Sequence, residues 1–108
     1  MTQVIFEKQE IQNQIRNRFK ERLPDRAERI RMLLLRRRWS ALRSELENLK
    51  RNSKEYGFKE LYRQSKVAQS SIPQTVRLPA HHPKNTHEAT NHVLNTIDTI
   101  LGRNSWVH

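Results

Sequence analysis

The sequence predicts an all-α protein, an antiparallel four-helix bundle with an additional or kinked N-terminal helical segment. Glycine occurs only twice and proline four times, and good helix formers such as Leu, Arg, Glu, Lys and Gln dominate the first two thirds of the chain. Apolar residues also recur at spacings of three and four, which is typical of helices that bury one face.

The chain has 108 residues, 34% hydrophobic and 30% charged, so we expect a single domain over residues 1–108 with a thin core. The absence of cysteine excludes disulfides and thiolate metal sites. No apolar run approaches the roughly 18 residues of a membrane span, and the N-terminal residues are too polar for a signal peptide. We therefore expect a cytoplasmic protein with no membrane partner.

The first helical pattern covers about residues 4–22. Its apolar positions are Ile5 or Phe6, Ile11, Ile15, Phe19 and Leu23. Pro24 interrupts the pattern, which Ala27, Ile30 and Leu33 or Leu34 then continue. Because proline is tolerated in the first turn of a helix, we expect a second helix to begin near Pro24. One kinked helix through Pro24 is the alternative.

Two helices are predicted in the middle of the chain. The first begins at Trp39 or Ser40, ends at Tyr56 and is closed by Gly57, which can adopt the left-handed conformation. Its apolar stripe is Leu42, Leu46, Leu49 and Tyr56, with Ser53 in step. The second opens at Phe58, and its inner side carries Leu61, Tyr62, Ser65 and Ala68. The short connection predicts that the two helices are antiparallel neighbours.

Residues 69–85 contain three prolines and no sustained period, so we expect a flexible loop there. Asn85 followed by Glu88 is typical of a helix start. The last helix completes the bundle and ends at Gly102. Its apolar residues are Val93, Leu94, Ile97, Ile100 and Leu101.

The charge is uneven along the chain. The net charge is +10, and residues 1–66 hold 18 of the 21 Lys and Arg but nine of the 11 Asp and Glu. A basic first half favours an anionic partner, whether nucleic acid, a membrane surface or an acidic protein surface.

Residues around position 47 carry a family resemblance. Leu49, Lys50 and Gly57 lie two, three and ten residues after Glu47, while Trp39 and Leu42 lie eight and five before it. In this spacing the chain resembles histidine-containing phosphotransfer (HPt) domains, the four-helix bundles that relay phosphoryl groups in two-component signalling. The stretches "FKERLPDRAERI" and "GFKELYRQSKVAQ" fit the flanking helices, so the resemblance covers about residues 15–70.

The chain departs from the HPt pattern at the two positions that the relay most needs. Glu47 stands where the family has its phosphoacceptor histidine, and Arg51 replaces a glycine that leaves room for the receiver. A glutamate is no simple substitute for the imidazole, and acyl phosphates on receiver carboxylates need an acidic metal site. The resemblance therefore implies a degenerate member, without phosphotransfer.

Helical spacing puts five charged residues on one face, which we expect opposite the leucine stripe. The predicted contact face is Arg43, Glu47, Lys50, Arg51 and Lys54, with Arg63 bordering it from the following helix. As a plain solvated face it would contribute a few tenths of a kcal/mol per ion pair. As a docking face it would attract the acidic pocket of a receiver domain, or a histidine kinase, which the protein would modulate without relaying phosphate.

The alternative function is nucleic-acid binding. Arg36, Arg37 and Arg38 precede Trp39, and the first helix adds Arg16, Arg18, Lys20 and Arg22. Arg and Lys would bind phosphates with strong salt dependence. Against this, cations suit the last turn of a helix, and a Trp at a corner between helices is more often packed than stacked on bases.

No enzyme is predicted, because no paired carboxylates, nucleophile motif, Gly-rich phosphate loop or His ligand spacing is present. We also expect no cofactor and no metal. The segment "HHPKNTH" holds His81, His82 and His87, but surface histidines without acidic or cysteine partners are usually solvated.

Overall fold

The protein is an antiparallel four-helix bundle, as predicted. A computed structural model describes residues 2–73 and 83–102, excluding the side chains of residues 2–8. Within these ranges the helices are α1 (Thr2–Leu35), α2 (Trp39–Glu55), α3 (Lys59–Ser70) and α4 (Pro83–Ile100). α1 packs on α2 and α4, and α3 packs on the same two helices.

α1 is one continuous helix, so the expected second start near Pro24 is wrong and the single-helix alternative holds. Proline removes one helical hydrogen bond and costs about 3 kcal/mol in a helix interior. Phe19, Leu23, Ile30 and Leu34 are buried on both sides of Pro24, and burying each such side chain is worth about 1.5–3 kcal/mol. A continuous buried stripe therefore outweighs the local cost of proline.

Only the second half of α1 belongs to the bundle. Every described side chain from residue 9 to residue 18 is exposed, including Ile11 at 56% and Ile15 at 40%. A helix of 34 residues is about 50 Å long, whereas α2 has 17 residues. Among the described side chains, the predicted apolar stripe of the first segment thus enters the core only at Phe19, and the side chains of Ile5 and Phe6 lie outside the described ones.

The core consists of one apolar stripe from each helix, with a few small polar side chains among them. The buried apolar residues are Phe19, Leu23, Ile30, Leu34, Leu42, Leu46, Leu49, Leu61, Ala68, Ile72, Ala89, Val93, Leu94 and Ile97. Ser53, in step with the leucines of α2, donates its hydroxyl to the Leu49 carbonyl at 2.6 Å. This internal bond allows a hydroxyl to be buried without cost to the packing.

Two turns join the first three helices with the same hydrogen-bond pattern. After α2, the Phe58 amide donates to the Ser53 carbonyl at 2.8 Å, and after α1 the Arg38 amide donates to Leu33 at 2.9 Å. This closure places one residue in the left-handed region. That residue is Gly57 (φ 78°) in one turn and Arg37 (φ 53°) in the other.

The connection between α3 and α4 differs from the prediction at both ends. Residues 69 and 70 continue α3, and α4 begins at Pro83 rather than near Asn85. Proline suits a first helical position because the missing N–H would have no partner there. Ile72 of the predicted flexible loop is buried in the core, whereas residues 74–82, including His81 and His82, lie outside the described residues. α4 ends at Ile100, and Gly102 (φ 71°) follows it as expected.

Candidate functional site: the seam between α2 and α3

The residues predicted as a contact face lie beside the leucine stripe of α2, not opposite it. Arg43, Glu47 and Lys50 are half-buried, and each contacts α3 or the residues that follow it. The contacts run in reverse order along the two helices, as an antiparallel pair requires. The α2 row therefore forms one wall of a polar seam that closes over the core.

Glu47 is held by three side chains at the centre of this seam. The Lys50 ammonium lies 3.0 Å from Oε2 and the Arg51 Nε lies 3.3 Å from Oε1. The Gln69 amide of α3 donates through Nε2 to Oε2 of the same carboxylate. Gln69 also accepts a hydrogen bond from Lys50 Nζ at 3.0 Å through its Oε1. We call Glu47, Lys50, Arg51 and Gln69 the Glu47 cluster.

The environment of Glu47 keeps its carboxylate ionised. The hydrogen bond from Lys50 holds the pKa of Glu47 below its usual value, and desolvation opposes this shift. The charge of Lys50 and the hydrogen bond and charge of Arg51 lower this pKa further. Both carboxylate oxygens accept hydrogen bonds, so the group is an anchored anion rather than a free acceptor.

The other two basic residues of the α2 row also face α3. Arg43 Nε donates to the Ile72 carbonyl at 3.3 Å, and the Lys54 ammonium lies 5.8 Å from the centre of the Tyr62 ring. These contacts fix the two ends of the seam, with the Glu47 cluster between them. Five of the six predicted site residues, all but Arg63, therefore lie along the seam.

Three of the predicted residues, Arg51, Lys54 and Arg63, are exposed to solvent. Arg51 is 71% exposed even though it pairs with Glu47. Arg63 is 69% exposed and pairs with Glu60 of its own helix at 2.7 Å, and the hydrogen bond raises the pKa of Arg63. The structure places Arg51 in the Glu47 cluster and shows no ion pair between Arg63 and that cluster.

Sequence reasoning missed Gln69, the residue that connects the cluster to α3. A signal for it exists in the spacing, because Glu47 lies ten residues before Gly57 and Gln69 lies twelve after it. In an antiparallel hairpin, positions at similar distances from the turn face each other. Gln69 is only 8% exposed, and its amide can donate to a carboxylate and accept from an ammonium at the same time.

The residues of the predicted nucleic-acid face differ in exposure. Arg36, Arg37 and Arg38 are exposed in the turn after α1. Trp39 is half-buried, and its ring lies edge-on to that of His87 with 6.3 Å between centres. This tryptophan is packed at a corner of the bundle, and its half-buried ring contacts that of His87.

The described residues contain neither a cluster of metal ligands nor a helix able to span a membrane. Within residues 2–73 and 83–102, no group of three or more His, Asp or Glu side chains is arranged to hold a metal ion. None of the helices in the same ranges combines the length and apolarity needed to cross a membrane.

Comparison with known proteins gives no relative for this chain. It matches no protein-family model, no curated protein and no solved structure.

Proposed function

We propose that the protein binds a response-regulator receiver domain or a histidine kinase through the Glu47 cluster and modulates two-component signalling without relaying phosphate. The observation that carries the proposal is the anchored Glu47 carboxylate. It stands at the position where the HPt resemblance expects the phosphoacceptor, on the second helix of a four-helix bundle.

The lack of relay follows from the chemistry of this carboxylate. Glu47 offers oxygen in place of the imidazole nitrogen, and hydrogen bonds from Lys50, Arg51 and Gln69 occupy its oxygens. A nucleophile must bring a free lone pair to the phosphorus in line with the leaving group. Three donors aimed at the carboxylate stabilise its charge and lower its nucleophilicity.

Binding of an acidic partner is supported by the charge that the seam leaves exposed. Glu47 neutralises one unit of charge among Arg43, Lys50, Arg51 and Lys54, so the seam keeps a net positive charge. Arg51, at 71% exposure, is the cation best placed to reach a partner. Complementary charge of this kind accelerates association and aligns the two surfaces.

The experiment is a binding titration of the protein against the receivers and histidine kinases of its source organism, at low and at moderate salt. We expect at least one of them to bind. Arg51→Glu should then raise the Kd by about tenfold or more, equivalent to roughly 1.4 kcal/mol. Lys84→Glu is the matched control, because Lys84 is exposed on α4, and among the described residues α4 meets α2 only at the first residue of α2, where the Trp39 ring contacts that of His87.

Two results would contradict the proposal. Absence of binding to every receiver and kinase at both salt concentrations would exclude the partner class. Equal weakening by Arg51→Glu and Lys84→Glu would show that the net charge, and not the Glu47 cluster, drives association.

A further inference from the structure

A second basic surface lies on the other side of α2, facing α1. Arg18, Arg22 and Arg26 follow one another at intervals of four along α1 and line a depression between α1 and α2. Its volume is about 380 Å³, and its other lining residues are Ile15, Phe19, Asn52 and Tyr56. We call this depression the arginine groove.

The arginines of the groove are poorly compensated by carboxylates. Arg18 and Arg22 are exposed, and over the described residues neither forms an ion pair. Arg26 is partly buried, and desolvation lowers its pKa although the charge of Glu45 opposes this. Glu45 itself pairs with Arg29 at 3.2 Å. The groove therefore gathers three guanidinium groups, of which only Arg26 is influenced by Glu45, a carboxylate already paired with Arg29.

Such a row is unfavourable for the isolated helix. Like charges four residues apart destabilise a helix by a few tenths of a kcal/mol per pair. Burial of Arg26 beside the Phe19 ring, 5.8 Å from the ring centre, adds a desolvation cost. An anion seated in the groove would relieve both effects, and guanidinium forks match the oxygens of phosphate groups.

The shape of the groove favours a linear polyanion. Successive arginines are about 6 Å apart along the helix axis, so the row is about 12 Å long. The groove is open and continues into a second depression of about 440 Å³, which shares Ile15 and Tyr56 with it. Arg16 and Glu55 both line this second depression. A chain of phosphates can follow this path, whereas a compact ligand would leave most of it empty.

We propose that the arginine groove binds the phosphodiester backbone of single-stranded nucleic acid. Binding is independent of base sequence, because the guanidinium groups contact phosphates and not the edges of the bases. The concentration of net charge in residues 1–66 adds long-range attraction. This proposal is independent of receiver binding, since the groove and the Glu47 cluster lie on opposite flanks of α2.

The test is fluorescence anisotropy with a labelled oligothymidylate over a series of salt concentrations. Each phosphate contact on a single strand contributes about 0.7 to the slope of log K against log salt. Three arginines then give a slope of about −2, or a roughly 18-fold loss of affinity between about 50 and 200 mM salt. Arg18→Gln/Arg22→Gln/Arg26→Gln should remove about 2 from the slope.

Two further variants make this measurement specific. Arg18→Gln/Arg22→Gln leaves the partly buried Arg26 in place, so it preserves folding and should remove about 1.4 from the slope. The charge-matched control replaces three exposed lysines of α3 and α4 by glutamine and should leave the slope unchanged. The control residues are Lys59, Lys66 and Lys84.

Three outcomes would overturn the proposal. The first is absence of oligothymidylate binding by the natural protein at about 50 mM salt. The second is an equal change of slope in the groove variants and in the lysine control, which would indicate a diffuse charge effect. The third is displacement of oligothymidylate by polyglutamate at equal charge concentration, which would assign the groove to an acidic protein segment.

Discussion

Each of the turns that follow α1 and α2 contains one residue in the left-handed conformation. We expect replacement of Gly57 by alanine and of Arg37 by glycine to change the stability of the protein in opposite directions. Gly57→Ala places a side chain at φ 78°. No atom lies within 4 Å of the added Cβ, so the cost is conformational and not steric. The left-handed conformation costs an L-residue about 1–2 kcal/mol, and the stiffer unfolded chain returns about 0.4–1 kcal/mol. We expect a net destabilisation of about 1 kcal/mol.

Arg37→Gly is the converse exchange. Arg37 already adopts the unfavourable left-handed conformation at φ 53°. Glycine should remove this conformational strain and stabilise the protein by up to about 1 kcal/mol. Arg37→Ala separates this effect from loss of the arginine charge, because alanine keeps the strained conformation. We therefore expect Arg37→Gly to be more stable than Arg37→Ala, and the natural protein to be more stable than Gly57→Ala.

Urea unfolding followed by circular dichroism measures all four proteins with one method. A change of 1 kcal/mol corresponds to a shift of the urea midpoint of roughly 0.3–1 M at an m-value of about 1–3 kcal/mol/M, which is easily resolved. A loss above about 3 kcal/mol for Gly57→Ala would reveal a steric conflict, and no loss at all would show that Gly57 is not left-handed. If Arg37→Gly were less stable than Arg37→Ala, the closure assigned to α1 would be wrong.

Three further outcomes concern the Glu47 cluster. Because the folded-state pKa of Glu47 is lowered, its ionised form stabilises the fold above the ordinary pKa, and this contribution is lost as pH falls through the lowered value. The difference in urea midpoint between the natural protein and Glu47→Gln should therefore shrink as pH falls from about 6 to about 3. Gln69→Leu should lower the urea midpoint at neutral pH by roughly 0.5 M, because Glu47 and Lys50 lose their shared partner, and an unchanged midpoint would make the α3 contact dispensable. With a small-molecule phosphodonor we expect acid-labile phosphoryl label on Glu47→His/Arg51→Gly and none on the natural protein. Label on the natural protein would refute the non-relay proposal. Absence of label on both proteins would count against the HPt resemblance.

Much of the fold could be predicted because its apolar stripes are regular. Leu42, Leu46 and Leu49 are all buried, as their spacing indicates, and glycines mark the ends of two helices. The error at Pro24 has a clear reason: local propensity disfavours the helix there, but the stripe that continues beyond it is visible only as packing. The start of α4 was misplaced because a polar capping pattern was preferred to a proline that suits the first turn.

The candidate site was only partly predictable. Spacing along one helix placed Glu47, Lys50 and Arg51 together, since neighbours three and four apart are fixed by geometry. It could not show that the row faces α3, because that depends on how the bundle turns α2 about its axis. Gln69 and Arg26 were missed for the same reason: each acquires its role only from a neighbouring helix.

The long α1 also divides the molecule into two regimes of stability. Its first half has no described side chain in the core, and an isolated helix of that length is marginal in water. Amide protons before Phe19 should therefore exchange through local fraying, whereas those facing the core exchange only when the bundle opens. A ligand bound along the arginine groove would slow amide exchange in the part of α1 that extends beyond the bundle. Ligand binding and helix formation in that part of α1 would then be thermodynamically coupled.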